Sequence, residues 1–332
     1  LSTAVIDSVS AQTSSPGDWP NFLMSALLPL AASIFFTMRN LRLGRGDWRG
    51  ATRIAVFVFV MNILEGATTT RLSEVGLIGA GADIVHGRAF GHALMHAVSM
   101  WFAYVALEPY VRRLWPRTLV SWARLLSGRL RDPLVGRDLL IGAVAGSAMT
   151  ALYLISASVF RHFGLHAVPT LVGWEMPSSL TSLSNTACAL SYGGSVCVLE
   201  VLGTFVQLLV LRLLFRHTGA AIAATMAIAM GLTLIGAVPT EGWLIGIVGG
   251  LFRALPVLIL MRFGVLAGVT TAFVALVVNS VVPSLDFSAW YADRALVPLV
   301  LLVGILIYGA FTALAGKSLF GDPLREERER GA

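Results

Sequence analysis

The sequence predicts an all-α, polytopic transmembrane bundle of about nine helices, and three observations carry that prediction. The 332 residues are 56% hydrophobic and only 13% charged, against about 25% charge in a soluble domain. Their mean hydropathy is +0.79. The apolar residues gather into runs close to the roughly 20 residues that a bilayer-crossing helix needs. Such a composition excludes an ordinary soluble enzyme, a disordered tail and a disulfide-stapled secreted domain.

The runs fall at 21–38, 54–70, 89–107, 139–160, 194–214, 218–238, 243–261, 264–283 and 295–315. The second is diluted at its end by Glu65 and by Thr68, Thr69 and Thr70. The seventh holds Gly246, Gly249, Gly250, Arg253 and Pro256, which predicts a broken or kinked helix. Residues 1–20 are mostly small and polar and read as a lead-in outside the membrane. Residues 21–316 form the transmembrane domain, and 317–332, where Arg and Glu alternate, form a solvated charged tail. No basic stretch followed by an apolar one marks a signal peptide. With Leu1 in place of Met, the chain is expected to be a piece of a longer protein.

Charge sets the expected orientation. All but one of the 24 basic residues are Arg, and the net charge is +6. Arg39, Arg42, Arg45, Arg49 and Arg53 follow the first run. Arg112, Arg113, Arg117, Arg124, Arg129, Arg131 and Arg137 follow the third. Arg212 and Arg216 follow the fifth, Arg262 the seventh, and Lys317 the ninth. The alternate loops are poor in basic residues. The positive-inside rule then places the N-terminus outside and the C-terminus in the cytoplasm of a bacterial inner membrane. Basic residues concentrated in short loops point to anionic lipid at the cytoplasmic face, not to nucleic acid.

The loop from Glu108 to Asp138 carries a pattern of its own. Pro116 can open a helix. Trp115, Leu119, Trp122, Leu126 and Leu130 share one helical face, and Arg117, Arg124 and Arg131 lie opposite. This predicts an amphipathic interfacial helix over 115–131 with Trp at headgroup depth. A docking surface for a cytoplasmic domain is the alternative, and one helix can serve both. The stretch Ser178–Tyr192 reads as interfacial or re-entrant. Cys188 and Cys197 fit no metal spacing, and a disulfide between them requires the chain to bend back.

Two constellations bear on chemistry. His92 and His96, four apart, share a helix face and can hold a metal, with Glu65 as a third ligand or base. The plain structural alternative is a hydrogen-bonded histidine pair. Glu200 and Arg253 are ionisable groups at membrane depth, so they are an architectural ion pair or line a substrate path. Nucleotide-binding signatures and kinase motifs are absent from the chain, so no cofactor is expected.

Three segments together resemble the C-terminal multi-pass membrane region of large bacterial serine/threonine protein kinases. They are RNLRLGRGDWRG (39–50), ALEPYVRRLWPRTLVSWARLLSGRLRDPLVGRDLLIG (106–142), and DFSAWYA (286–292) with AGKSLFGD (315–322). The second is long and specific. The resemblance implies a non-catalytic anchoring and sensing module, with the kinase domain N-terminal to it in the same polypeptide. It assigns no catalytic or ligand residue here. Two other functions stay open. An intramembrane metal-dependent hydrolase similar to the CAAX-processing proteases would use His92, His96 and Glu65, although the paired glutamate of that family is missing. A small-solute or ion transporter would use Glu200 and Arg253.

Overall fold

The computed structural model describes residues 27–44, 46–69, 88–162, 183–237, 243–279 and 292–314. All regular structure among them is helical. In chain order the α-helices are α1 (Leu28–Arg42), α2 (Trp48–Thr69), α3 (Arg88–Leu114), α4 (Val120–Leu126) and α5 (Pro133–His162). They continue with α6 (Leu183–Phe215), α7 (Thr218–Ala237), α8 (Trp243–Phe263), α9 (Val265–Asn279) and α10 (Ala292–Leu314). A 3-10 turn, Pro116–Leu119, leads into α4.

Each of the nine predicted runs holds a helix. Seven of them (α2, α3, α5, α6, α7, α8 and α10) are long and apolar enough to cross a membrane. The other two, α1 and α9, have 15 residues each. At about 1.5 Å per residue these described stretches rise roughly 22 Å. The chain is therefore a multi-pass helical membrane protein. The run at 243–261 is one continuous helix with Pro256 inside it. The lead-in at 1–20 and the tail at 317–332 lie outside the described residues.

The 33-residue α6 is the hub. It packs on α1, α2, α3, α7 and α9, and half of its apolar window is buried. The segment before Gly194 continues this helix instead of forming a separate interfacial piece, from Leu183 onward. Residues 178–182 lie outside the described residues. Cys188 and Cys197, nine apart on this one helix, are separated by about 13 Å of rise, so no disulfide joins them. Around the hub, α5 packs on α9 and α10, α2 and α1 on α3, and α7 on α8.

The helix ends that carry most of the arginines meet at one end of the bundle, the basic end. The largest apolar cluster sits there, with Tyr104, Leu107, Phe205, Leu209 and Leu260 almost fully buried. The α8–α9 connection turns on Gly264, whose φ is +107°. A Cβ at Gly264 would lie 2.6 Å from the Thr118 carbonyl oxygen. Backbone conformation and lack of space both require glycine there.

The amphipathic segment differs from its expected form. In place of one helix over 115–131, the chain forms the 3-10 turn and the seven-residue α4. Its stop is a Schellman motif. Gly128, at φ +85°, donates its N–H to the Leu125 carbonyl, and Arg129 donates to Arg124. The apolar face turns into the protein. Leu119 and Trp122 belong to the main core, and Trp115 stacks on Phe205 with ring centroids 5.5 Å apart. Arg117 and Arg131 are exposed, as is Leu130 beyond the helix stop.

Asp132 opens α5. Its carboxylate accepts the Leu134 N–H at 3.0 Å and two contacts from the Arg124 guanidinium at 2.7 and 2.8 Å. Partial burial pushes its pKa up, but the Arg124 hydrogen bonds, the Leu134 N–H and the Arg124 and Arg129 charges outweigh this and hold it below the ordinary 3.8. A carboxylate with a depressed folded-state pKa stabilises the fold above its unfolded pKa, and that contribution disappears as pH falls through the folded value. The Asp132→Asn variant is thus expected to melt below the parent at neutral pH. The gap should close as the pH drops below about 4, which thermal melts across a pH series will read.

Candidate functional site

Three features of the bundle can carry chemistry: a polar cluster on α2, α3 and α6, an acid–base pair on α6 and α8, and an apolar cavity in the middle.

The polar cluster lies towards the end of the bundle opposite the basic end. His92 and His96 are one turn apart on α3, with ring centroids 4.0 Å apart. His92 is exposed, whereas His96 is half-buried. His96 Nδ1 lies 3.0 Å from Asn62 Oδ1 on α2. The Asn62 amide donates to the Val58 carbonyl at 2.8 Å, which leaves its oxygen as the acceptor. The proton shared with Asn62 is then assigned to His96 Nδ1. Glu65 stands one turn beyond Asn62 on α2, within electrostatic reach of Cys188 and Tyr192 on α6. Thr68 hydrogen-bonds to Cys188 and also donates to the Leu64 and Glu65 carbonyls at 2.9 Å.

The structure therefore brings His92 and His96 together and partners His96 with Asn62. Among the described residues, no three His, Cys, Asp or Glu side chains converge as a metal site requires. The sequence alone did not single out Asn62. Its signal was a carboxamide inside the apolar run 54–70, where an unpaired amide is costly and a partner on another helix is expected.

Glu200 is partly exposed on α6, and Arg253 is exposed on α8. The Arg253 charge acts on Glu200, but no contact ion pair between them is found among the described residues. The contact ion pairs lie at the basic end. Glu108, buried in α3, binds Arg112 and accepts the Asp47 N–H at 3.2 Å. Asp138, almost fully buried, pairs with Arg137 at 2.8 Å.

The cavity has a volume of about 570 Å³. Its walls come from α2 (Ile54, Phe57, Met61), α4 (Trp122, Leu125, Leu126), α5 (Leu139), α6, α9 and α10 (Leu301, Ile305). On α6 it runs from Leu190 to Val198, eight residues or about 12 Å along the axis. Nearly every lining group is apolar. One exception is Trp122, whose indole nitrogen is buried without a hydrogen-bond partner. Two of the Trp–Arg residues expected at the membrane interface thus acquire other partners here: Trp122 lines the cavity, and Arg124 holds Asp132.

No protein family, curated protein or solved structure matches the chain. Its class is given by its architecture: a multi-pass α-helical membrane protein.

Proposed function

We propose that this chain is the non-catalytic membrane module of a bacterial serine/threonine protein kinase, anchoring the kinase in the inner membrane and relaying the state of the bundle to it. The resemblance over 106–142 supplies the kinase. The supporting structural observation is that this same segment is built into the transmembrane core. Trp115 stacks on Phe205, Leu119 and Trp122 are buried, and the Gly264 turn abuts Thr118. A segment so seated moves with the helices beneath it, and its exposed arginines face the side where the positive-inside rule puts the kinase. The buried charges Glu108 and Asp138 already have partners at this end, which suits a scaffold.

The test has two stages. The gene upstream of Leu1 is expected to encode a glycine-rich loop, a VAIK-type lysine, and HRD and DFG motifs. In the full-length protein in native membranes, Trp115→Ala should change autophosphorylation at least threefold while membrane insertion is unchanged. An upstream sequence without a kinase overturns the assignment. Unchanged phosphorylation by a correctly inserted variant overturns the relay.

A further inference from the structure

The cavity lies between helices that do not all pack on one another. Ile54, Phe57 and Met61 of α2 and Leu301 and Ile305 of α10 line it together, yet α2 and α10 make no substantial contact. Phe57 is also exposed on the outer surface of α2. The cavity is only partly enclosed, and a gap between two membrane-crossing helices would admit an acyl chain from the bilayer. The volume of about 570 Å³ falls within the range of roughly 300–1,000 Å³ that ligand pockets occupy. Water gains little in such a chamber, because it needs two or more polar partners to stay. A flexible apolar chain fits it.

Charge at the rim specifies the rest of the ligand. Arg53 donates to the carbonyl oxygen of Leu126, a residue of the cavity wall. That uses one of its five N–H donors, and the side chain is otherwise exposed. Arg49, one turn earlier, is exposed beside it, and the two arginines share a surface groove with Trp48 and Thr52. Two guanidinium groups in a groove next to the mouth of an apolar chamber suit a phosphate diester, which they can bind through paired hydrogen bonds. Trp122, in the chamber wall, holds an unpartnered indole N–H, a buried donor that an acyl ester carbonyl would satisfy.

We propose that the cavity is a lipid site that takes one acyl chain of an anionic phospholipid, entering between α2 and α10 with its phosphate on Arg49 and Arg53. The proposal does not rest on the kinase assignment, because its test reads lipid binding directly.

The chain is purified in detergent, washed free of annular lipid and titrated with phosphatidylglycerol or phosphatidylcholine of the same acyl composition, and bound lipid is counted by native mass spectrometry. One phosphatidylglycerol per chain should be retained, with at least fivefold preference over phosphatidylcholine. Gly194→Leu places a side chain in the chamber from the α6 wall, where a Cβ meets only ordinary contacts at 3.6 Å and beyond. It should reduce retention at least tenfold. Ile305→Trp, filling from the α10 wall, should do the same, and either variant suffices if the other melts early. The double change Arg49→Gln and Arg53→Gln should abolish the headgroup preference while chain binding persists. Three results would overturn the proposal: no lipid retained by the parent chain, equal retention in a folded cavity-filled variant, or equal affinity for both headgroups. Preferential retention of a free fatty acid would overturn the phospholipid assignment.

Discussion

Replacing Gly146 by leucine is expected to separate α5 from α9 and to lower the melting temperature of the detergent-solubilised protein sharply. A Cβ built at Gly146 lies 2.7 Å from the Thr271 carbonyl oxygen and 2.9 Å from the Val274 Cβ. One turn earlier, a Cβ at Gly142 would lie 2.5 Å from the Thr270 Cβ and 2.8 Å from the Ala267 carbonyl oxygen. These are backbone atoms and β-branched side chains, so neither neighbour can swing aside. Close approach of this kind is how membrane helices associate, since lipid tails provide no hydrophobic drive between them. Overpacking by a single methyl costs about 1–3 kcal/mol, and leucine adds three more carbons. Gly146→Ala should therefore be measurable and Gly146→Leu severe. The control is Gly203→Ala on α6, where nothing lies within 4 Å of the added carbon. An equal melting temperature for Gly146→Ala and Gly203→Ala would refute the packing argument.

The second large effect concerns a proline and an asparagine 69 residues apart in the chain. Pro109 sits inside α3 and has no N–H to give the carbonyl four residues back, that of Val105. Asn40 on α1, buried at 2% exposure, fills the vacancy. Its amide donates to the Val105 carbonyl at 2.9 Å and to that of Ala106 at 3.2 Å. Asn40→Ala leaves a buried acceptor without a donor, at a cost of about 1–3 kcal/mol. The diagnostic is rescue. In a Pro109→Ala background the helix supplies its own N–H, so removing Asn40 should destabilise by less than half as much. A double-mutant cycle measures this coupling, and strictly additive losses would show that the two residues act independently.

These two cases mark what can be read from the sequence and what cannot. The helices were legible because run length and apolarity are local properties. Each of the nine runs did hold a helix, and among the described residues seven of these helices are long and apolar enough to cross a membrane. The N-terminal extension of α6 was harder to see. Ser191, Gly193 and Gly194 dilute hydropathy, although Gly193 packs closely on α9, where an added Cβ would meet the tip of the Leu276 side chain at 2.7 Å. Within the amphipathic pattern at 115–131, Leu119 and Trp122 are buried and Arg117 and Arg131 exposed, but Leu130 is exposed and Arg124 is held by Asp132. What the apolar face meets, lipid or protein, depends on Phe205, Gly264 and the core around them. Gly128 ends α4 through its Schellman bonds, a stop that the 115–131 pattern passes over by predicting one helix running through it. Among the candidate residues, the His92–His96 proximity follows from spacing alone. The bond from His96 to Asn62 crosses 34 residues of chain, and no periodicity encodes it. The cavity belongs to six helices at once and has no sequence signature.

The enclosure of α9 has a further consequence. Of its 14 residues from Val265 to Val278 none is exposed, and it is enclosed by α5, α6 and α8. Mismatch between a helix and the surrounding membrane is penalised only where acyl chains touch that helix. A helix walled in by protein therefore escapes the rule that its apolar length equal the bilayer's. The duty of matching passes to the perimeter, to α7 and α10, whose apolar windows are only 11% and 17% buried. Bilayer thickness can act on this molecule through those two helices while its centre stays unaware of it.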